Sequence, residues 1–257
     1  SWAEDPDTGE RLRMVPGQLR QKYVKVGNHI PVSPGAVPRF LERFEQAYGN
    51  IGKTDIIIAA ACAHHRLLWI HPFLDGNGRV ARLMSHAILL EALDTGEVWS
   101  IARGLARNEV QYKTHLNNCD LPRRNDLDGR GHLSEEALAE FQVFFLNTCI
   151  DQVEFMEELM QPNKLRARAK VWCEEEMNSG ELSPKSDRVI TALLDRGELA
   201  RSEVPQLLGV SDRSAQRITR ALLDKGIIKS NSTRAPLELA FPAALAARWL
   251  PGLFPEK

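Results

Sequence analysis

Between His71 and Arg82 the sequence gathers side chains able to handle a polyphosphate: His71-Pro72-Phe73-Leu74-Asp75-Gly76-Asn77-Gly78-Arg79, then Arg82. An unperturbed imidazole ionises near neutrality, so His71 is a candidate general base. Asp75 offers a hard oxygen suited to Mg²⁺ bridging two phosphates. Gly76 and Gly78 permit backbone conformations closed to other residues and let an anion come close. Arg79 and Arg82, three apart in a helical segment, share a face and can fork onto phosphate oxygens. Singly, each feature has an ordinary explanation: a glycine turn, a packed ring before proline, solvated arginines. Their coincidence in one short connection points to a base, a metal ligand and a phosphate cradle.

Two helices must hold that connection. Ile56–Ile70 is almost wholly apolar and reads as a central core helix. It ends at His71-Pro72, because a residue before proline is disfavoured in the α region. Leu74–Gly78 is expected to be a loop. Arg79–Leu93 is expected to be the next helix, with Val80, Leu83, Met84, Ala87 and Leu90 on one face. Its unpaired N–H groups and dipole would favour an anion at its start.

The flanking chain is read more coarsely. Residues 1–22 look like irregular surface chain. Tyr23 to Val32 combines β-formers with a Gly27-Asn28 turn signal, the pattern of a short hairpin. From Pro38, Phe40, Leu41, Phe44 and Tyr48 recur at helical spacing. Asn108–Asn118 is expected to be a helix and Pro122–His132 a charged loop. Ser134 caps a further helix that turns Phe141, Phe144 and Phe145 inward and runs, alone or with a successor, towards Glu176. Asn178-Ser179-Gly180 breaks it. Residues 1–180 are therefore expected to form a mainly α domain.

Residues 181–257 have a different rhythm. A short helix carries Val189, Ile190, Leu193 and Leu194, and a second covers Glu203–Leu208. Gly209 makes a tight turn, Ser211 caps a third helix, Asp212–Asp224, and Gly226 ends it. Ile227–Lys229 and Leu237–Leu239 could pair. That order is expected of a small winged helix-turn-helix domain. Arg213, Gln216, Arg217 and Arg220 are its candidate DNA contacts, and over residues 183–257 basic residues outnumber acidic ones by about four.

Over the whole chain, Lys+Arg is 33 against Asp+Glu 34, so global charge favours neither nucleic acid nor a membrane surface. No apolar run reaches the roughly 20 residues needed to span a bilayer. Cys62, Cys119, Cys149 and Cys173 are scattered without a Cys-x-x-Cys pair, which suits a reducing, cytoplasmic setting.

The stretch from His71 to Arg82 resembles the Fic family signature His-Pro-Phe-x-(Asp/Glu)-Gly-Asn-Gly-Arg-x-x-Arg and agrees with it at every defined position. Val26-Gly27-Asn28-His29-Ile30-Pro31 is similar to the family's flap, a hairpin that clamps nucleotide and positions the target. Tyr112 and Leu116 resemble its adenosine-contacting positions. The likeness covers about residues 15–160. It implies a Fic helical core with a β-hairpin flap, and transfer of AMP from ATP to a Ser, Thr or Tyr hydroxyl of a protein.

In that scheme His71 deprotonates the hydroxyl and Asp75 holds Mg²⁺. Asn77 contacts the α-phosphate, the amides from Gly76 to Arg79 cradle it, and Arg79 and Arg82 hold the outer phosphates. Phe73 belongs to the same nucleotide site as an anchor of the loop, without chemistry of its own. Gly78 stands where Doc-type kinases carry Lys, which favours the AMP-transferring orientation. A nucleotide-sensing DNA-binding regulator is the competing reading, and His71 speaks against it, since a sensor has no need of a base. Another nucleotide donor, removal of AMP from a modified target, and a homodimer are further alternatives.

The family's inhibitory helix, Ser/Thr-x-x-x-Glu-Gly/Asn, is not found before or after the motif, which leaves a separate inhibitor protein, a helix in a missing N-terminal part, or no such control. The start at Ser1 is expected to lie short of the helices that usually precede the flap.

Overall fold

The computed structural model describes residues 2–4, 11–13, 15–27, 29–93 and 99–253, and the chain is mainly helical, as expected. It forms two compact units, Ser1–Glu154 and Phe155–Lys257. The division falls inside a helix, whereas the functional boundary expected at 180/181 falls just beyond the next one.

In the first unit, α1 (Val37–Tyr48) packs on α2 (Lys53–Ile70), and α2 packs most extensively on α3 (Asn77–Leu93). The α2–α3 contact follows from small residues: Ala60, Ala61 and Ala63 on α2, with Ala81 and Ser85 on α3, are buried. This corrects the expected face of α3. Asn77, Ala81, Ser85 and Leu89 turn inward, while Val80, Leu83 and Ala87 are exposed. Apolar residues occur on nearly every side of α3, so close approach rather than hydrophobicity selects the buried stripe. The helix also starts two residues earlier than expected, so Asn77 and Gly78 belong to its first turn and the loop is shorter.

α4 (Ile101–Arg107) precedes α5 (Glu109–Asn118), and only the second was expected. Gly104 lets α4 lie directly on α6 (Glu135–Leu159): a Cβ there would come within 2.8 Å of Gln152 Cγ and closer still to Thr148 Cγ2. Ser134 caps α6 as expected, its hydroxyl accepting from Ala137 N at 3.0 Å. Asp128 in the preceding loop adds a second cap, accepting from the amides of Glu135 and Glu136 at 2.6 and 2.8 Å. Burial pushes its carboxyl up, but these donors and the Arg124 amide outweigh that and hold it at about 2. Phe141 and Phe145 are fully buried, and Phe144 stacks on His115 at 4.8 Å.

Within the stretch expected to be irregular, β1 (Trp2–Glu4) pairs antiparallel with β2 (Arg11–Arg13). The hairpin expected over 23–32 reduces to one bridge, in which Val26 and His29 exchange two backbone hydrogen bonds of 3.0 Å.

The second unit comprises α7 (Pro162–Asn178), α8 (Ser186–Arg196), β3 (Glu198–Leu199), α9 (Val204–Leu208), α10 (Asp212–Asp224), β4 (Ile228–Lys229), β5 (Leu237–Leu239) and α11 (Ala246–Trp249). The three strands form an antiparallel sheet in the order β3-β5-β4. β3 was not expected, since two residues give no alternation to read. Val189, Ile190, Leu193, Leu199, Leu208, Leu222 and Leu237 form the core. Gly209 takes the left-handed conformation (φ 59, ψ 51) between α9 and α10, and Ser211 caps α10. All four cysteines are free thiols. Among the described residues no helix is long and apolar enough to cross a membrane.

Candidate active site

The last residue-sized step of α2 sets the geometry. His71 sits at its C-cap with φ 53 and ψ 62, a left-handed conformation usually taken by glycine, and its amide still donates to Leu67 O at 3.0 Å. The turn carries the chain into buried Pro72 and on towards α3. His71 Nδ1 lies 3.3 Å from Leu68 O. A carbonyl only accepts, so Nδ1 carries the proton and the neutral ring keeps its lone pair on Nε2. Burial lowers the His71 pKa to about 4 against an opposing pull from the Leu68 carbonyl, with Arg20 and His29 lowering it further and Asp75 raising it. At neutral pH the ring is therefore an uncharged base.

The connection is closed by Asn77. Phe73 N donates to its Oδ1 at 2.9 Å, and its Nδ2 donates back to Phe73 O at 2.8 Å, with the residue 2% exposed. Each end of the amide makes one bond, which fixes the side chain across the loop and leaves the second N–H of Nδ2 uncommitted. Gly76 (φ 83) turns the chain into α3, whose first backbone bond runs from Val80 N to Gly76 O. The amides of Asn77, Gly78 and Arg79 precede that bond and have no helical partner, which makes them available to an anion.

Both arginines fold over this turn. A Cβ at Gly76 would lie 3.2 Å from Arg79 Nη2, and one at Gly78 would lie 3.3 Å from Arg82 Nη1. Arg79 also pairs with exposed Asp75 at 3.1 Å. Asp75 is thus a solvent-facing carboxylate beside those unpaired amides. Among the described residues no group of three or more His, Cys, Asp or Glu could hold a metal by itself. That donor set fits Mg²⁺ of the kind held by one carboxylate plus substrate phosphates.

Tyr112 was expected at adenosine, but its hydroxyl is committed inside the protein. It lies 2.7 Å from His64 Nε2, while His64 Nδ1 is 2.8 Å from Ser85 Oγ. Ser85 gives its proton to Ala81 O at 2.9 Å, so it must accept from His64 Nδ1–H. His64 Nε2 therefore accepts from the tyrosine O–H, which leaves the phenol oxygen to accept from Arg82. The chain Arg82, Tyr112, His64, Ser85 is fully directional. Burial holds His64 neutral, lowering its pKa to about 3. Sequence reading missed His64 and Ser85, because a histidine and a serine in apolar helices look like ordinary packing.

In the flap, Gly27 takes φ 59 at the turn, and His29 Nε2 donates to Trp69 O at 2.8 Å, tying the segment to α2. His29 Nδ1 also lies 3.5 Å from Asp120 Oδ1, and burial raises the Asp120 carboxyl. Asn28 lies outside the described residues. Val26 is exposed and Leu116 half-buried on α5. A cleft of about 330 Å³ runs along the loop, lined by Val15, Leu19, Phe73, Leu74, Asp75 and Val80 among others; Arg82, Tyr112 and Leu116 are not part of its wall. The structure thus brings His71, Asp75, Gly76, Asn77, Gly78, Arg79 and Arg82 together around one turn, with Tyr112 behind it. In the second unit, Arg213, Gln216, Arg217 and Arg220 are exposed along α10, opposite buried Ala215, Ile218, Thr219 and Leu222, and Arg220 lies 3.8 Å from Asp224.

Comparison with known proteins bears on the first unit. The chain is 41% identical over 78 residues to a protein adenylyltransferase Fic of Drosophila erecta and 40% identical over 78 residues to that of Drosophila melanogaster. Each alignment covers 30% of this chain but only 16% of the relative's length. A solved Fic family protein from Desulfovibrio desulfuricans G20 aligns with a TM-score of 0.45 and 18% identity, over 90% of this chain and 65% of the other. The Fic/DOC family model matches residues 6–89, the stretch that holds His71, Asp75, Arg79 and Arg82.

Proposed function

We propose that this chain transfers AMP from ATP to a hydroxyl side chain of a protein, releasing pyrophosphate. The observation that carries the reading is the placement of a neutral imidazole, with Nε2 free, one turn before a helix N-terminus flanked by two arginines. The target oxygen forms its bond to the α-phosphorus as the α–β bridging bond breaks. Nε2 of His71 takes the hydroxyl proton. The amides of Asn77, Gly78 and Arg79 and the guanidinium groups of Arg79 and Arg82 meet charge that builds on the phosphates. Mg²⁺, held by Asp75 and phosphate oxygens, would neutralise charge between the inner phosphates. Relatives named protein adenylyltransferase over this stretch support the choice of nucleotide and reaction.

Incubation of target lysate with Mg²⁺ and ATP labelled at either the α- or the γ-phosphate tests this. Label from the α-position alone is expected on protein, absent with His71→Ala. Label from the γ-position would mean phosphoryl transfer instead.

A second reading concerns the second unit. The exposed row Arg213, Gln216, Arg217 and Arg220 on α10, beside a three-stranded sheet, suits a winged-helix contact to DNA phosphates and base edges. A fluorescent-duplex titration at low salt tests it, and a flat signal would rule it out.

A further inference from the structure

Arg20 lies in the segment before the flap and is only 2% exposed. Its guanidinium is spread over main-chain oxygens: Nε donates to His71 O at 2.6 Å, Nη1 to Lys22 O at 3.1 Å, and Nη2 to Val32 O and, at 3.4 Å, to Ile70 O. Its own amide donates to Pro72 O at 2.9 Å. No carboxylate among the described residues pairs with it. A buried cation without a counter-ion is costly unless something else compensates. Here the compensation is the C-terminus of α2, where Ile70 and His71 present carbonyls that no further helical turn uses and where the helix dipole favours positive charge.

Three of the groups Arg20 reaches, the carbonyls of Ile70, His71 and Pro72, belong to the peptide units on which the left-handed turn at His71 depends. A histidine pays for that conformation with Cβ crowding, so it persists only where neighbours over-determine it. The Nδ1 contact to Leu68 O, which leaves Nε2 uncommitted, is made from that turn. We infer that Arg20 is a positioning residue for His71, clamping the α2 terminus to the backbone at Lys22 and Val32, on either side of the Val26–His29 bridge, so that the imidazole keeps its Nδ1–H tautomer and its place before the turn into α3. The inference rests on the proposed role of His71 as base, but its structural half does not.

Two variants separate the arginine's fork from its charge. Arg20→Lys keeps a cation and loses the spread of donors; Arg20→Met loses both. The groups that face His71 electrostatically are Arg20, His29 and Asp75, so only Arg20→Met should move the ring's titration, and it should move it upward. In full-length protein labelled with ¹⁵N-histidine, the His71 ring of the wild type is expected as a single Nδ1–H tautomer. Both variants are expected to show a tautomer mixture. In the transfer assay both should lose about 100-fold in kcat, the scale of a roughly 1 Å misplacement, while the Kd for ADP stays within about threefold.

Circular dichroism and ADP binding confirm that a variant is folded before its kinetics are read. If Arg20→Lys is folded, keeps the wild-type His71 ring spectrum and turns over normally, the inference is overturned. If the wild type transfers no label yet its tautomer still depends on Arg20, the clamp stands and the enzymatic reading fails.

Discussion

Asn77 offers the sharpest test of how the turn into α3 is built. Its amide makes two hydrogen bonds to the backbone of Phe73, 2.9 and 2.8 Å long, from a nearly solvent-free position. Asn77→Ala removes both. Phe73 is itself half-buried, so water can partly replace the lost partners. A net loss of about 1 kcal/mol per bond is then appropriate, rather than the larger penalty of a sealed site. Alanine returns up to ~0.7 kcal/mol in helix propensity, though little of that is realised at the first helical position. The balance is a destabilisation of about 2 kcal/mol. For a chain of this size that corresponds to a fall in Tm of roughly 4–8 °C. Differential scanning calorimetry without nucleotide measures it. If Asn77→Ala melts within about 1 °C of the wild type yet loses ATP affinity, the amide serves phosphate and its two bonds to Phe73 do not hold the loop.

Four further outcomes follow from other parts of the first unit. Because burial lowers the His71 pKa to about 4, the base is already neutral at pH 6, and the acid limb of kcat/KM should lie near 4; bound triphosphate favours the imidazolium, so the limb in kcat should lie higher, and identical limbs would contradict the geometry. His64 and His65 are also held neutral with pKa values lowered to about 3, so the unfolded chain binds more protons than the folded one between about pH 6.5 and 3, and stability measured by urea titration should fall as pH drops through that window. Tyr112→Phe leaves His64 Nε2 buried without a donor and Arg82 without its acceptor, which should cost about 1–3 kcal/mol of stability and weaken ATP binding more than AMP binding by calorimetry. Gly104→Ala pushes a methyl into Thr148 and Gln152, and a loss of about 1–3 kcal/mol with unchanged ATP affinity is expected in thermal melts.

The site was legible where its residues are rare types in a fixed order: His71, Asp75, the glycines and the two arginines meet around one turn, as their spacing required. What the sequence hid was the support. Arg20, His64 and Ser85 act through contacts across 21 to 51 positions, and no local pattern marks a buried polar residue as partnered. The α3 face was misread for a related reason. Hydrophobicity identified Val80 and Leu83, but the close packing of α2 and α3 selected alanine and serine. Strands of two or three residues, such as β3 and the β1–β2 pair, are too short for alternation to show, and only their partners define them. In the second unit the helices were readable because glycine and serine punctuate them, at Gly209, Ser211 and Gly226.

A histidine at φ 53 means that position 71 would rest more comfortably as glycine, by about 1 kcal/mol or more. The polypeptide therefore carries a small permanent debt of folding energy at the ring to which the proposed transfer assigns the proton. Any route that improves thermal endurance alone would tend to cancel that debt by erasing the ring, so a hardier descendant of this chain and an inert one are neighbours in sequence.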